Sequence, residues 1–560
     1  MKNKFASHRN KTSVSRLPLV TGWGLALGAW LLACPLAQAQ APNWQAAWLA
    51  GGNAYSQVTG IATDASGNVY VAGSFSNATM TLGAITLTNT VTSGSTVGMS
   101  RDAFVAKWSP ISGTFVWAQK AGGTTDYDAA KAIAVSGTSV YVVATLTGSG
   151  FGGAAANGGD YLIKFTDAGG LSWAQPAGIT VAGLAASGTS VYLAGNFSGT
   201  ASLGSLSLTS VGSADVAVAK LTDAGSTGSF VWAQRAGSSG YDNANALAVV
   251  GATLYITTGY SAAASFGATQ LAAVGSAVVK LTDAGATGSF GWVQPVAAAT
   301  FDRLAVGAGR LYATGRILGT AAFGTTTLTS SSAGGSFVAA LTDGGSTATF
   351  GWAQQLSDPT GNTAIHTVAA SGPAVYIAGS QRGALSFGAT TLPGPLEVGL
   401  FVARLTDAGT AASYDWAVPA TAYFSAYQHS LALYRNAVYL AGMLAGPVVF
   451  GGNTLPASGG PVAFLASLAD ETALASTPST ALAGLEVSPN PAHGTVMVRV
   501  PAGVGAATLT LLDALGRTVR TQATSASIAS PLNLTGLAPG MYALRVQAGE
   551  ALAVRQLVVE

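Results

Sequence analysis

Short apolar runs alternate along this chain with clusters of Gly, Ser, Thr, Asp and Asn, and no segment keeps a helical period for three turns. The runs are rich in Val, Tyr, Phe and Thr, which favour pleated strands, and the clusters between them are typical of turns. The pattern therefore predicts an all-β protein made of many short antiparallel strands.

The pattern repeats seven times between Trp48 and Glu471, with a period of about 60 residues. Each repeat contains a tryptophan, a tyrosine among small or apolar residues, a Phe or Leu before glycine, and a run such as Phe104-Val-Ala-Lys107. The tryptophans are Trp48, Trp117, Trp173, Trp232, Trp292, Trp352 and Trp416, and the tyrosines are Tyr70, Tyr141, Tyr192, Tyr255, Tyr312, Tyr376 and Tyr439. Repetition at this scale indicates an array of similar units.

Most repeats also contain a Thr-Asp-Ala-Gly segment or a close variant of it. Asp and Gly favour tight turns between antiparallel strands, so these aspartates are predicted to be turn residues. They are Asp167, Asp223, Asp283, Asp343 and Asp407.

A unit of four short strands predicts a propeller blade, because propellers arrange four-stranded blades in a ring. The chain enters the first repeat with its tryptophan strand alone and leaves the last repeat without one. The first strand would then complete the last blade and satisfy an otherwise unpaired edge. We predict a seven-bladed β-propeller over residues 40–471.

The repeat is followed by an uncharged Thr, Ser, Ala and Pro linker at 472–484 and by a different segment at 485–560. Period-two alternation between turn residues predicts a small immunoglobulin-like β-sandwich there. Its distinctive residues are Pro489, Asn490, Pro491, Asp513, Gly516, Arg517, Pro539, Gly540 and Tyr542.

At these residues the segment resembles the type A C-terminal sorting domain of the type IX secretion system. The resemblance implies a source in the Bacteroidota, handling by the type IX secretion machinery and transport across the outer membrane. It also implies that the domain is removed on passage.

The first 39 residues predict a signal peptide. Basic residues without any acid precede an uncharged stretch from Leu17 to Leu36, and Ala37-Gln-Ala39 offers a cleavage site. A lipoprotein signal is the alternative, because Cys34 follows a Leu-Leu-Ala triplet. Cleavage after Ala39 would leave a chain without cysteine, which excludes disulfides, thiol catalysis and cysteine metal sites.

Charged residues are 8% of the chain, where about 25% is usual, and hydrophobic residues are 49%. Glycines interrupt the apolar stretches, so no transmembrane segment is expected in the mature chain. No stripe of Lys and Arg is present, and nucleic acid is therefore not an expected partner.

One repeat resembles the SBBP type of bacterial β-propeller repeat. Its segment Asp64-Ala-Ser-Gly-Asn-Val-Tyr-Val71 has the signature of that family, and later repeats replace it with Ser-Gly-Thr-Ser-Val-Tyr. The family is defined by shape, so the resemblance implies no single activity.

Chemistry-bearing motifs are scarce. No histidine pair has metal-ligand spacing, and neither a nucleophile elbow nor a phosphate loop is present, so we expect no cofactor, no metal and no enzymatic activity. Binding residues gather on loops held by a rigid scaffold, here the loops that lead into the next blade. The candidates around the channel mouth are Asp126, Tyr127, Asp128, Tyr241, Asp242, Asn243, Phe301, Asp302, Arg303, His366, Tyr427 and His429.

These observations predict a secreted or cell-surface propeller that acts in binding, adhesion or scaffolding, with an extracellular glycan or protein as ligand. The alternative is an extracellular polysaccharide hydrolase or lyase, which two carboxylates about 5 to 10 Å apart would favour. A structural protein without a ligand is the third reading.

Overall fold

The computed structural model describes residues 42–52, 55–76, 78–91, 100–123, 127–153, 155–330, 335–356, 363–395, 398–424, 430–455, 460–470, 485–501, 507–513, 518–524, 529–548 and 551–560. Their regular structure is antiparallel strand apart from one 3-10 turn at Phe151–Gly153, which confirms the all-β fold. No helix in these ranges is long and apolar enough to cross a membrane. Cys34 and the cleavage residues Ala37 and Ala39 lie outside the described residues.

The repeat region is a succession of short strands. In its first part the strands are β1 (Trp44–Leu49), β2 (Gly51–Gly52), β3 (Ser56–Thr63), β4 (Val69–Ser76), β5 (Thr79–Leu82), β6 (Ile85–Thr88), β7 (Arg101–Ser109), β8 (Thr114–Ala121), β9 (Ala129–Ser136), β10 (Ser139–Ser149), β11 (Ala155–Thr166), β12 (Leu171–Pro176), β13 (Thr180–Ser187), β14 (Ser190–Phe197), β15 (Thr200–Leu203), β16 (Leu206–Thr209), β17 (Asp215–Asp223), β18 (Gly228–Ala236), β19 (Asp242–Val250) and β20 (Thr253–Tyr260). In its second part they are β21 (Ala264–Phe266), β22 (Thr269–Leu271), β23 (Gly275–Asp283), β24 (Gly288–Val296), β25 (Ala299–Gly307), β26 (Arg310–Ile317), β27 (Thr320–Phe323), β28 (Thr326–Thr329), β29 (Gly335–Asp343), β30 (Ala348–Leu356), β31 (Ala364–Ser371), β32 (Ala374–Gln381), β33 (Leu385–Phe387), β34 (Thr390–Leu392), β35 (Val398–Asp407), β36 (Ala412–Phe424), β37 (Ser430–Tyr434), β38 (Ala437–Phe450), β39 (Asn453–Leu455) and β40 (Val462–Ala469).

Antiparallel sheets with one common strand order follow each other along the chain. Their orders are β3-β4-β7-β8, β9-β10-β11-β12, β13-β14-β17-β18, β19-β20-β23-β24, β25-β26-β29-β30 and β31-β32-β35-β36. A further set joins β37 to β38, β38 to β40 and β40 to β1, so that Trp48 lies opposite Leu465. The strand at the start of the chain therefore completes the last sheet of the repeat.

The first strands of consecutive sheets contact one another in a closed circuit. The order is β3, β9, β13, β19, β25, β31, β37 and again β3. All seven of these strands also line one central channel of about 290 Å³. We interpret the circuit as a ring of seven blades.

Small hairpins explain the marker in which Phe or Leu precedes glycine. Strand pairs such as β21-β22 and β27-β28 are joined by two-residue turns, whose first residue has φ of 58° at Gly267 and 61° at Gly324. A positive φ at the first position is typical of a type II′ hairpin turn, and glycine adopts it without strain. The preceding Phe266 and Phe323 are buried in the core of their blades.

A buried polar cluster joins neighbouring blades at the end of the ring where the third strand turns into the fourth. Asp223 accepts hydrogen bonds from Tyr141 Oη at 2.6 Å and Trp173 Nε1 at 3.0 Å, and Lys164 Nζ lies 2.5 Å from it. These three partners all belong to the preceding blade, β9 to β12. The turn aspartate is therefore also a tie between blades, which its sequence pattern alone does not reveal.

Similar clusters form around other aspartates of the ring. Where Ala340 occupies the lysine position opposite Tyr312, Arg310 supplies the cation to Asp407 instead, at 2.9 Å. Tyrosine and cation pairs that meet an aspartate are Tyr70 and Lys107 at Asp167, Tyr192 and Lys220 at Asp283, Tyr255 and Lys280 at Asp343, Tyr312 and Arg310 at Asp407, and Tyr376 and Arg404 at Asp470.

The contact between the last blade and the first lacks this cluster. Ser467 lies opposite Tyr439, where other blades have the cation, and Ala46 lies opposite Ser467, where they have tryptophan. Pro110 follows β7 at the position of the turn aspartate. The prediction that Trp48 is equivalent to the other tryptophans is therefore wrong, and Trp48 packs instead on Phe115, with ring centroids 4.4 Å apart. We call this contact the seam.

Residues 485–560 form two sheets. The strands are β41 (Glu486–Ser488), β42 (Thr495–Arg499), β43 (Ala507–Leu512), β44 (Thr518–Thr524), β45 (Ala529–Asn533), β46 (Gly540–Ala548) and β47 (Ala551–Val559), in the orders β41-β42-β45 and β44-β43-β46-β47. Buried side chains of both sheets, such as Val496 and Leu544, share one core. This is the arrangement of a small β-sandwich.

Candidate functional site

The first strands β3, β9, β13, β19, β25 and β31 contain a β-bulge at the same position. In β25, for example, Phe301 lies opposite Gly315 and Arg303 lies opposite Thr314, so Asp302 is an extra residue without a partner. Bulges re-aim side chains and are common next to functional sites. The bulged residues are Thr59, Lys131, Ala182, Asn245, Asp302 and His366.

A glycine makes room for the bulge. A Cβ atom added to Gly315 would lie 1.7 Å from the carbonyl oxygen of Thr300, so the second strand accepts no side chain there. The same glycine recurs three residues after the tyrosine marker in Tyr70-Val-Ala-Gly73, Tyr192-Leu-Ala-Gly195 and Tyr376-Ile-Ala-Gly379. Ala144 and Thr258 take this position in two other blades that also have the bulge. The bulge is therefore common to blades with and without the glycine, whereas the residue that occupies it differs from blade to blade.

Some bulged residues hold the ring together. Thr59 Oγ1 donates to the Ala130 carbonyl at 2.6 Å, and Asn245 Nδ2 donates to the Phe301 carbonyl at 2.8 Å, in each case across to the next blade. Lys131 Nζ is bound by both carboxylate oxygens of Asp160 at 2.9 Å. The bulged residues Asp302 and His366, by contrast, line an open cavity.

A cavity of about 650 Å³ lies over that side of the channel. It is lined by Ala182, Asn245, Thr300, Asp302, Arg303, Arg316, Leu318, Ile365 and His366. We call it the mouth cavity. Its size is within the range of small-molecule and cofactor sites, and it combines charged, amide and apolar side chains.

The two arginines of the mouth cavity are exposed. No carboxylate oxygen of the described residues lies within 4.0 Å of Arg303 or Arg316, whereas most lysines and arginines of the described propeller form ion pairs with aspartates. Arg303 Nη1 donates to the Asp302 carbonyl at 3.1 Å. The guanidinium groups therefore keep donors that a ligand can use.

Asp302 and His366 are shifted towards their neutral forms. Burial raises the pKa of Asp302, although the charges of Arg316 and Arg303 act in the opposite direction. Burial, together with the same two arginines, lowers the pKa of His366 to about 4. His366 Nε2 lies 3.0 Å from Ser380 Oγ. At neutral pH the histidine is uncharged, and the mouth cavity has a net positive charge.

A second cavity of about 480 Å³ adjoins the first, because Asn245, Thr300, Asp302 and Leu318 line both. Its wall includes Tyr241, with 55% of the side chain exposed. Tyr241 Oη accepts a hydrogen bond from Asn196 Nδ2 at 3.3 Å. The two cavities form one groove that is charged at one end and aromatic at the other.

The structure places only some of the sequence-predicted candidates in the groove. Asp302, Arg303 and His366 line the mouth cavity, and Tyr241 and Asn243 line the adjoining one. Asp126, Tyr427 and His429 lie outside the described residues.

Three other candidates are buried and structural. Asp128 accepts from the Thr147 amide at 2.6 Å and the Gly123 amide at 2.9 Å, and Asp242 accepts from the Ser261 amide at 3.0 Å. These contacts leave the carboxylates of Asp128 and Asp242 fully buried. The Phe301 ring is also fully buried, against Phe337.

Tyr127 is exposed but lies outside the groove. Its ring stacks on the Arg101 guanidinium, 4.4 Å from the ring centroid, and Tyr55 covers the other side at 4.8 Å. It lines neither cavity of the groove. Such cation–π contacts are worth about 0.5–1 kcal/mol at exposed sites.

Sequence reasoning missed Asn245 and Arg316. A signal for Asn245 was available, because the bulged residue precedes the tyrosine marker by ten residues in Asn245 and Tyr255, in Asp302 and Tyr312, and in His366 and Tyr376. Arg316 lies on β26 opposite Thr300, and only the strand pairing brings it to the mouth. Among the residues that the structure describes, no group of His, Cys, Asp and Glu is arranged to hold a metal ion.

The distinctive residues of the C-terminal sandwich meet at its end. Asn490 Oδ1 accepts from the Val558 amide at 2.8 Å, so the Pro-Asn-Pro segment is tied to the terminal strand, and both peptide bonds that precede Pro489 and Pro491 are cis. Tyr542 Oη donates to the Ala538 carbonyl at 2.8 Å, directly before Pro539 and Gly540. Gly516 and Arg517, which follow Asp513, lie outside the described residues.

Three solved structures that resemble the chain share little sequence with it. The BamB protein of Moraxella catarrhalis is 13% identical, with a TM-score of 0.36 over 76% of this chain and 99% of that one. A mutant of Trypanosoma rangeli sialidase is 11% identical, with a TM-score of 0.33 over 76% and 82%. An acylaminoacyl peptidase of Pyrococcus horikoshii is 6% identical, with a TM-score of 0.38 over 81% and 59%. Scores this low support no conclusion on activity.

No curated protein matches the sequence. A source in the Bacteroidota and membership of the SBBP repeat type stay predictions. Residues 486–560, by contrast, match the family described as the secretion system C-terminal sorting domain. The expected sorting domain is thereby confirmed, and the chain is a type IX secretion cargo that is secreted or exposed on the cell surface.

Proposed function

We propose that this protein is a non-enzymatic binding module, secreted or held at the cell surface, and that its ligand occupies the groove at the channel mouth. The observation that carries the proposal is the mouth cavity itself. Its scaffold, the set of bulges, recurs in β3, β9, β13, β19, β25 and β31, while Asp302, Arg303 and His366 break the repeat on one side. A rigid frame with divergent residues is typical of a binding surface.

The composition of the cavity supports binding over hydrolysis. Glycosidases of the common type need two carboxylates that flank the scissile bond. Asp302 is the single carboxylate among the described residues that line the mouth cavity. The exposed arginines supply hydrogen bonds for a ligand without that pair.

A steric block tests the proposal. Ala182→Phe puts a large side chain into the mouth cavity from a bulge position that is exposed in the structure. We expect retention on a glycan and peptide array by the chain from residue 40 to 560 to fall about tenfold or more, which corresponds to 1.4 kcal/mol. Unchanged thermal unfolding would show that the fold is intact.

The matched control is Ala284→Phe, in an exposed turn between β23 and β24 at the other end of the ring. This variant should retain every ligand as the wild type does. Equal retention by Ala182→Phe would place the ligand elsewhere, and release of cleaved product by the wild type would overturn the non-enzymatic assignment.

A further inference from the structure

The positions of Arg303 and Arg316 within the repeat show that their charge is specific to one blade. The residue directly after the bulge lines the channel, and in the other blades it is small: Gly60, Ala132, Gly183, Ala246, Thr367 and Ser430. Neighbouring first strands approach closely here, since a Cβ atom on Gly183 would lie 2.7 Å from the Leu247 Cβ. Arg303 is a long charged side chain at a position that otherwise favours the smallest residues.

Arg316 is equally exceptional on the neighbouring strand. The residue four positions after the tyrosine marker is Ser74, Thr145, Asn196, Gly259, Ser380 or Met443 in the other blades. Neither arginine is needed by an aspartate tie between blades, because the tie of this blade uses Arg310. Two cations that no structural role requires therefore face the same cavity.

We propose that the ligand is an acidic polysaccharide whose sugar carboxylate is bound by Arg303 and Arg316. This inference rests on the binding function proposed above and specifies its ligand. The planar guanidinium group matches a carboxylate with two parallel hydrogen bonds, which makes arginine the preferred residue for this recognition.

The adjoining cavity favours a sugar over other carboxylates. Its wall presents Tyr241 together with exposed Val274 and Leu318, beside the amides of Asn243 and Asn245. Apolar and aromatic surface with a few placed polar groups fits the alternating CH faces and hydroxyl groups of a sugar chain. The groove thus offers an anionic-sugar subsite and a continuation for the next residues of the same chain.

Matched polysaccharides test the inference directly. The chain from residue 40 to 560 is titrated with polygalacturonate, with the same polymer after methyl esterification, with dextran sulfate and with dextran. We expect binding to polygalacturonate, loss of about tenfold or more on esterification, and weakening with added salt, because esterification removes the charge and leaves the backbone.

Charge variants give effects of opposite sign. The double variant Arg303→Gln with Arg316→Gln should weaken polygalacturonate binding by about tenfold or more, since it removes charged hydrogen bonds. Asp302→Asn should strengthen binding by about two- to fivefold, since it removes a negative charge beside the ligand. Arg545→Gln, an exposed arginine of the sorting domain, is the matched control and should change nothing.

The outcomes separate this inference from the function on which it rests. Binding of neutral dextran or of dextran sulfate that the arginine variants do not affect, but that Ala182→Phe abolishes, would overturn the acidic-sugar ligand and leave the binding function standing. If the folded wild type binds none of these polymers and is retained by no ligand on the glycan and peptide array, both the acidic-sugar ligand and the binding function are overturned. Cleavage of polygalacturonate would support the ligand class and overturn the non-enzymatic assignment.

Discussion

The two ends of the ring differ in how strictly they repeat. At the end of the turn aspartates, most neighbouring blades share the tyrosine, cation and aspartate of the cluster, and Arg310 supplies the cation where Ala340 stands in place of lysine. At the mouth, the bulge is kept but its residue changes from Thr59 to Lys131 and on to His366. Repetition marks the end that stabilises the ring, and divergence marks the end that is available for binding.

The pKa of a partly or fully buried aspartate is shifted in opposite directions at the two ends of the ring. Asp223 is 4% exposed and its partner Lys164 is 9% exposed, so each depends on the other for compensation of its charge. Hydrogen bonds from Lys164, Tyr141 and Trp173 outweigh the effect of burial and lower the pKa of Asp223. At the mouth, burial prevails and raises the pKa of Asp302. A carboxylate is thus held charged at one end and pushed towards neutrality at the other.

Removing an aspartate should show the difference in stability between the two ends of the ring most strongly. Asp223→Ala leaves Lys164 buried without its carboxylate, and we expect a loss of about 3–5 kcal/mol in the free energy of unfolding. Asp302→Ala at the mouth should cost less than about 1 kcal/mol, because its charge is already disfavoured. Urea unfolding of both variants measures the difference.

A second variant tests whether the loss of stability at Asp223 comes from the unpaired charge of Lys164. Combining Asp223→Asn with Lys164→Met removes both charges, and stability should recover in part, since a buried pair replaced by apolar groups is often neutral. Equal losses for Asp223→Ala and Asp302→Ala would contradict the division of the ring into a stabilising end and a binding end.

Adding the missing cation and aspartate at the seam should change the free energy of unfolding by a smaller amount. Ser467→Lys alone places a cation near Tyr439 without a carboxylate and should destabilise the ring, while Pro110→Asp offers the missing partner. We expect the pair to be more stable than the sum of the single changes by about 0.5–3 kcal/mol, the range of coupling between contacting residues. A double-mutant cycle measures this, and simple additivity would show that the seam differs from the other blade contacts in more than its residues.

The smallest expected effect is the pH dependence of ligand binding. Burial raises the pKa of Asp302, so lowering the pH neutralises this carboxylate at a higher pH than an ordinary aspartate. A group that repels an acidic ligand is then lost, and binding should strengthen by about two- to fivefold as the pH falls. His366 stays neutral while the pH remains well above 4, because burial and the charges of Arg303 and Arg316 lower its pKa to about 4. Binding by Asp302→Asn should be independent of pH in the same titration, and a persisting dependence would assign it to another group.

The repeats made the fold predictable from sequence, whereas the roles of the residues that depart from the repeats were not predictable. Short strands, turn aspartates and hairpin glycines follow from local propensity, so the all-β fold was correctly predicted from sequence. The ties at Asp223 join residues of adjacent blades and need the packed structure. Trp48 matched the tryptophan pattern but lies opposite Leu465, because Ala46 takes the tryptophan position after the bulge that the other blades share.

The candidate site was predictable in part. Asp302, Arg303 and His366 were predicted on the loops that lead into a blade, but they lie on the first strands β25 and β31. Asn245 follows from its spacing to Tyr255 once the bulge is known. Asp128 directly precedes β9 and Asp242 is the first residue of β19, but their carboxylates accept hydrogen bonds from nearby backbone amides. Loop position alone does not separate a carboxylate that binds its own backbone from one that faces a ligand.

Strand β1 also sets the order in which this molecule can fold. It pairs with β40, whose residues are synthesised last among those of the ring, so the contact spans nearly the whole propeller in sequence. Contacts between distant parts of a chain slow folding, because the loop entropy is lost before the contact is gained. Until β40 is in place, β1 and the open blade expose unpaired edges that invite aggregation. Completion of the ring is therefore the late step of folding, and the seam is where it occurs.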